Sequence, residues 1–177
     1  MIHPEGRASA AAPAVVVMGV SAAGKSTIAE ALSRRLAVPW IDADDLHPSA
    51  NRQKMMAGIP LDDDDRRPWL DAVGEKLAAG EAAEGIVVAC SALRRNYRDR
   101  LRAACPTAVF VHLHGSRELL AHRASERVEH FMPASLLDSQ LATLEPLDAE
   151  ERGVTLDVSD APAVIAQRAA EWVTSNG

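Results

Sequence analysis

Short apolar runs rich in β-branched residues alternate along this chain with longer stretches whose apolar positions recur every three or four residues. The first kind predicts strands over Ala14–Met18, Val38–Asp42, Gly85–Cys90, Ala108–Leu113 and Val154–Val158. The second predicts helices over Gly24–Leu36, Arg67–Ala79, Arg94–Ala104, Arg117–Arg127, Pro133–Leu144 and Ala161–Thr174. Near-continuous runs such as Ile86-Val87-Val88-Ala89 suit strands buried on both faces, and alternation of such runs with helices is the sequence form of a parallel sheet covered on both sides. The expectation is an α/β fold with a five-stranded parallel sheet, and no repeat, linker or composition break divides it. Residues 1–13, rich in Ala with Pro4, Gly6 and Pro13, read as a flexible leader; residues 14–177 read as one domain.

Composition narrows the function. The chain has 177 residues, 47% of them apolar, enough for a core. A net charge of -6 and 3% aromatic content argue against a nucleic-acid partner, which calls for a basic surface or stacking aromatics. Cys90 and Cys105 have no metal-ligand spacing and no disulfide framework around them, which fits a reduced cytoplasmic setting. The apolar stretch Ala10–Val20 is too short to span a bilayer, and cleavage after it as an export signal would destroy the motif it runs into.

That motif is Gly19-Val20-Ser21-Ala22-Ala23-Gly24-Lys25-Ser26, which fits the phosphate-loop pattern and sits between a strand and a helix, where such a loop belongs. Its glycines let successive backbone N–H groups point into one concavity, and the following helix N-terminus adds positive potential for phosphate oxygens. Gly19, Ser21, Ala22, Ala23, Gly24, Lys25, Ser26 and Thr27 are therefore candidate ATP contacts; Lys25 would reach the β- and γ-phosphates and Ser26 would ligate Mg²⁺. A second acidic segment, Asp42-Ala43-Asp44-Asp45, ends the second strand. Strand alternation would put Asp42 and Asp44 on one side: Asp42 suits the magnesium shell, and Asp44 suits acceptance of a proton from a substrate hydroxyl. The plainer reading of this segment is an acidic helix-capping turn.

The loop, together with Asp42-Ala43-Asp44-Asp45-Leu46-His47-Pro48 and Asn51-Arg52-Gln53-Lys54-Met55, resembles the bacterial gluconate kinases. So do Asp65-Arg66-Arg67-Pro68-Trp69-Leu70, Cys90-Ser91-Ala92-Leu93-Arg94-Arg95-Asn96-Tyr97-Arg98 and His130-Phe131-Met132. These blocks run in order from Val16 to Glu145. The resemblance implies a P-loop kinase fold like that of the nucleoside monophosphate kinases, with a lid near residues 123–132 and a homodimeric assembly. It implies a gluconokinase that moves the γ-phosphate of ATP to the 6-hydroxyl of D-gluconate with Mg²⁺. A sugar-acid pocket needs cations and hydrogen-bonding side chains beside the base, which His47, Arg52, Lys54, Arg94, Tyr97 and Arg98 would supply with Asp44. Arg123 and Arg127 share one helix face and would clamp the nucleotide and the transferring phosphoryl group, with Arg127 in the catalytic role and His130 near substrate.

Three positions depart from the family pattern. Ala22-Ala23 replace a small Gly-Ser type pair, which leaves phosphate binding intact provided no positive φ is needed there. Ala43 and Glu129 stand where glycine is common, and Glu129 brings negative charge toward the nucleotide. Two other classes stay open: a kinase for shikimate or another small hydroxy acid, and a P-loop switch protein. The switch reading lacks the guanine-reading Asn-Lys-x-Asp motif.

Overall fold

The computed structural model describes residues 11–127 and 134–177. Five parallel strands, β1 (Ala14–Met18), β2 (Trp40–Asp42), β3 (Ile86–Ala89), β4 (Val109–His114) and β5 (Gly153–Asp157), lie in the order β2-β3-β1-β4-β5. In the register, Val16 of β1 sits between Val88 of β3 and Phe110 of β4. The order reverses beside β1, and that reversal opens a crevice at its carboxyl end, where the phosphate loop emerges.

Period-two alternation divides the apolar residues between two cores. Val15, Val17, Val87, Val109 and Val111 pack with Ile28 and Leu32 of α1 (Lys25–Leu36) and Ile165 and Val173 of α7 (Pro162–Asn176). Val16, Met18, Val88 and Phe110 face the other way, against Leu70, Val73 and Leu77 of α3 (Asp63–Glu81) and Leu101 of α4 (Arg95–Ala104). Burial on both faces is why these strands read as continuous apolar runs. At Gly74 of α3 an added Cβ would lie 2.7 Å from Ala104 Cβ, so glycine sets the close approach of α3 and α4.

Sequence and structure differ mainly at element starts. The helix expected from Arg67 begins at Asp63, because Asp62 accepts the Asp65 N–H and the Asp65 carboxylate accepts the Asp62 N–H in a reciprocal capping box. The acidic run is thus the cap and first turn of α3. The strand expected from Val38 begins at Trp40. Between β2 and α3 lie a 3₁₀ turn (Ala43–Leu46) and α2 (Ser49–Met56), neither anticipated as an element. Helices α5 (Arg117–Ser125) and α6 (Ala134–Thr143) flank the segment containing Glu129 and His130, which lies outside the described residues, as does most of the expected leader. Pro13 belongs to the fold: its carbonyl accepts the Ile86 N–H at 2.8 Å.

Candidate active site

The phosphate loop is a tight turn closed by its own backbone. Ala23 N–H donates to the Val20 carbonyl, Gly19 N–H to the Ser91 carbonyl beyond β3, and Lys25 Nζ to the Val20 carbonyl at 3.1 Å. Gly24, at φ +90°, turns the chain into α1 with no side chain to cap the first amides, leaving that helix end for an anion. Ala22 also adopts a positive φ, +69°. The proviso on Ala22-Ala23 is therefore not met: a left-handed alanine costs roughly 1–2 kcal/mol, and the surrounding structure holds it there.

Asp42 is the hinge of the acidic segment. One carboxylate oxygen accepts the Ser26 hydroxyl at 3.0 Å and the other accepts the Asp44 N–H at 2.9 Å. The strand ends at Asp42, so Asp44 reaches the same side through the 3₁₀ turn and not through strand alternation. That turn is pinned from below: Ala43 is fully buried, and its carbonyl accepts Trp69 Nε1–H at 2.7 Å.

These groups surround a cavity of about 120 Å³. Ser21, Lys25, Ser26, Asp42, Asp44 and Arg127 line it, with Ser91 and Ala89 at the end of β3. Loss of water around Lys25 lowers its pKa against the opposing pull of Asp44. Desolvation raises the Asp44 carboxyl above its ordinary value, and the Asp42 charge adds to the rise while Lys25 opposes it. A lysine and a carboxylate whose protonation energies are drawn together are suited to phosphate binding and proton acceptance. Cys90, beneath them, is pushed up to about 12 by burial and is inert as a nucleophile.

A second cavity of about 210 Å³ adjoins the loop, lined by Thr27, Ile28, Arg123, Arg127, Asp160, Pro162 and Ile165. It is less polar than the first and shares Arg127 with it. Arg123 is oriented by donation to the Val158 carbonyl at 2.5 Å. Asp160, Pro162 and Ile165 escaped the sequence reading. The available signal was their place in the segment following the last strand, since ligands gather at the carboxyl ends of parallel strands.

The expected substrate residues separate into two groups. His47 stacks on Trp69 with ring centroids 4.3 Å apart, and Asn51 Nδ2 donates to its Nδ1, which leaves the ring proton on Nε2. Burial lowers the His47 pKa, and the Arg52 and Arg66 charges lower it further, so the ring is neutral. Tyr97 donates its hydroxyl to Asp63 at 2.6 Å, and Arg94 and Arg66 lie over its ring at 5.9 and 5.6 Å. Arg66, from the same capped first turn as Asp63 and with one nitrogen donating to the Leu61 carbonyl at 2.6 Å, is not among the expected substrate residues, although it stands in the Asp65–Leu70 block that carries the resemblance.

The other group is occupied elsewhere. Arg52 donates to the His47 and Asp45 carbonyls and so fastens the 3₁₀ turn to α2, while Lys54 pairs with both oxygens of Asp65 at 2.8 Å. Arg98 corrects the expectation most clearly. It has no exposed surface, and its guanidinium is taken up by Glu151 at 2.7 and 3.0 Å, the Ala92 carbonyl at 2.8 Å and the Pro146 carbonyl. A carboxylate substrate cannot reach it without breaking a buried ion pair.

Metal chemistry fits the same site on its donors. Among the described residues no cluster of three or more His, Cys, Asp or Glu forms a cage, but the Ser26 hydroxyl beside the Asp42 carboxylate is an all-oxygen pair. Such a pair suits a hard cation that keeps most of its shell for water and phosphate.

A family model described as an AAA domain matches residues 15–147. The chain is 46% identical over 155 residues to the gluconokinase of Gluconobacter oxydans strain 621H, covering 85% of each sequence. It is 42% identical over 167 residues to a probable gluconokinase of Xenopus tropicalis, covering 85% of this chain and 88% of the relative. The crystal structure of a gluconokinase from Sinorhizobium meliloti 1021 superposes with a TM-score of 0.85 at 48% identity, covering 93% of each chain.

Proposed function

This chain belongs to the gluconokinase family, within the wider set of AAA-domain P-loop proteins, and from that premise we propose that it transfers the γ-phosphate of ATP to the 6-hydroxyl of D-gluconate, giving 6-phospho-D-gluconate. The observation that carries the reading is the meeting of Lys25, Ser26, Asp42, Asp44 and Arg127 around one cavity at the carboxyl end of β1. In this reaction the new bond runs from the gluconate O6 to phosphorus, the bond from phosphorus to the β-phosphate oxygen breaks, and the hydroxyl proton passes to Asp44. Lys25 and Arg127 balance charge on the transferred group, and the neighbouring cavity beside Thr27, Arg123 and Pro162 takes the adenine base.

Ser26 and Asp42 would hold magnesium, which when bound neutralises charge on the phosphate oxygens. Sugar-acid recognition falls to Arg94, Arg66 and Tyr97, grouped around Asp63, and to the Nε2–H of His47, which stacks on Trp69. Charge-assisted donors to a carboxylate contribute about 2–3 kcal/mol, so discrimination between D-gluconate and D-glucose should reach about thirtyfold or more. We extend the proposal to a homodimer working in the cytoplasm, on the resemblance to the family. Both cysteines are free and buried, and among the described residues no helix is long and apolar enough to cross a membrane. An ADP-release assay over D-gluconate, D-glucose, shikimate and nucleoside monophosphates tests the assignment. D-Gluconate should give the largest kcat/KM; equal values for gluconate and glucose would overturn it, and turnover of shikimate alone would transfer it to the shikimate reading.

A further inference from the structure

Gln140 lies on α6, 119 residues from the phosphate loop in sequence, yet its side-chain amide grips that loop at two points. Its Oε1 accepts the backbone N–H of Ser21 at 2.7 Å, and its Nε2 donates to the Ser21 hydroxyl oxygen at 3.0 Å. The two bonds close a ring on a single residue and so fix both its backbone and its side chain. Each also dictates the other: with Oε1 taken by the N–H, the amide can only donate to the hydroxyl, and the Ser21 proton is left to point elsewhere. Ser21 lines the cavity with Lys25, so that proton is available to an oxygen acceptor there.

The residue that follows Ser21 gives the clasp its purpose. Ala22 stands at φ +69° with a Cβ and is buried, so the loop's phosphate-ready shape is one that an alanine adopts only under constraint. Ala23 N–H closes the turn onto Val20 from one side, and Gln140 holds Ser21 from the other. Helix α6 is itself anchored by Leu137, which is buried in the core, and by the ion pair of Asp138 with Arg117 of α5. The amide therefore presents from a fixed base.

We propose that Gln140 is a positioning residue for the nucleotide: it holds the Ser21–Ala22 turn in its phosphate-binding form before ATP arrives and aims the Ser21 hydroxyl proton into the cavity. The proposal rests on the loop being the nucleotide site, as proposed above. Without the clasp, part of the binding free energy would go into ordering the strained turn, and affinity would fall by that amount. Glycine at position 22 removes the reason for the constraint, because it takes a positive φ without steric cost.

The test is a double-mutant cycle read by calorimetric titration with ADP in excess magnesium and by steady-state kinetics. Gln140→Ala should weaken ADP binding and raise KM for ATP by roughly tenfold, the scale of two hydrogen bonds and a lost preorganisation, while KM for the sugar acid stays within twofold. In an Ala22→Gly background the same substitution should cost less than about threefold, coupling that separate anchoring of α6 would not produce. Ser21→Ala removes half of the clasp together with the hydroxyl that it aims, and should weaken ADP binding by about threefold or more, which keeps the idea testable if Gln140→Ala fails to fold. Nucleotide affinity within twofold of wild type in Gln140→Ala, or in Ser21→Ala where Gln140→Ala does not fold, would overturn the proposal. Equal losses in the alanine and glycine backgrounds would overturn it as well. Absence of ADP binding by the wild-type protein would instead refute the nucleotide site itself.

Discussion

Asp44 shows how a single side chain acquires its chemistry from its surroundings. Its carboxyl is raised by desolvation and by Asp42, so the ionised form that accepts a proton is lost at a higher pH than for a free aspartate as the solution is acidified. The acid limb of kcat/KM should accordingly lie above the ordinary value of 3.8. Asp44→Asn should bind ATP normally, lose roughly 10²-fold or more in turnover, and lose that limb; stopped-assay rates from pH 4 to 8 measure both. A limb that persists in Asp44→Asn would assign it to another group. The sequence placed Asp44 at the right end of the right strand for a partly wrong reason. Alternation was the argument, whereas a 3₁₀ turn held by Asp42 and by the Trp69 indole does the placing, and such a turn depends on a contact 26 residues away.

At the scale of elements, the misreading of Arg98 is equally physical. A helix bearing Arg94, Arg95, Arg98, Arg100 and Arg102 reads as a cationic face, and nothing local distinguishes the arginine that turns inward. Its partner, Glu151, lies 53 residues on, just before β5, so the pair is a tie between α4 and the approach to the edge strand. Although burial by itself pushes the Glu151 carboxyl up, hydrogen bonds from Arg98, the Asp148 N–H and Arg102 hold it down to about 2. Because that is below its ordinary value of 4.5, its contribution to stability is complete above about pH 4.5 and is lost as the pH falls toward 2. Glu151→Gln should flatten that part of the acid-unfolding curve. Arg98→Ala, which takes away the main partner of a buried carboxylate while Arg102 and the Asp148 N–H remain, should cost about 3 kcal/mol in denaturant unfolding, the low end for breaking a buried pair, and leave the gluconate-to-glucose ratio unchanged. A selective loss of gluconate in a variant of normal stability would restore Arg98 to the substrate site. The helix boundaries tell the same story: the box of Asp62 and Asp65 starts α3 earlier than apolar periodicity could indicate, because caps lie outside the periodic residues that reveal a helix.

For the whole molecule, the parts that could be read from the chain were those encoded locally. Continuous apolar strands, a phosphate loop joined to its helix and the order of alternation are all present in short stretches, and they suffice for a parallel sheet with its ligand at the carboxyl ends. What could not be read was convergence: Arg66 beside Tyr97, Pro162 beside Thr27, and Gln140 upon Ser21 join segments that only the fold brings together. The same convergence sets the loop between two cavities, one polar and lined by Lys25 and Asp44, the other walled by Thr27, Arg123 and Pro162. The most direct trial of that arrangement is turnover of D-gluconate by Lys25→Ala, measured beside wild type with circular dichroism and thermal unfolding as controls. A folded variant whose kcat/KM falls by about 10²–10³ or more is the expected result, since Lys25 is the loop's own cation and lines the polar cavity with Ser26, Asp42 and Asp44. Near-wild-type turnover in that folded variant would contradict the placement of phosphoryl transfer at this loop.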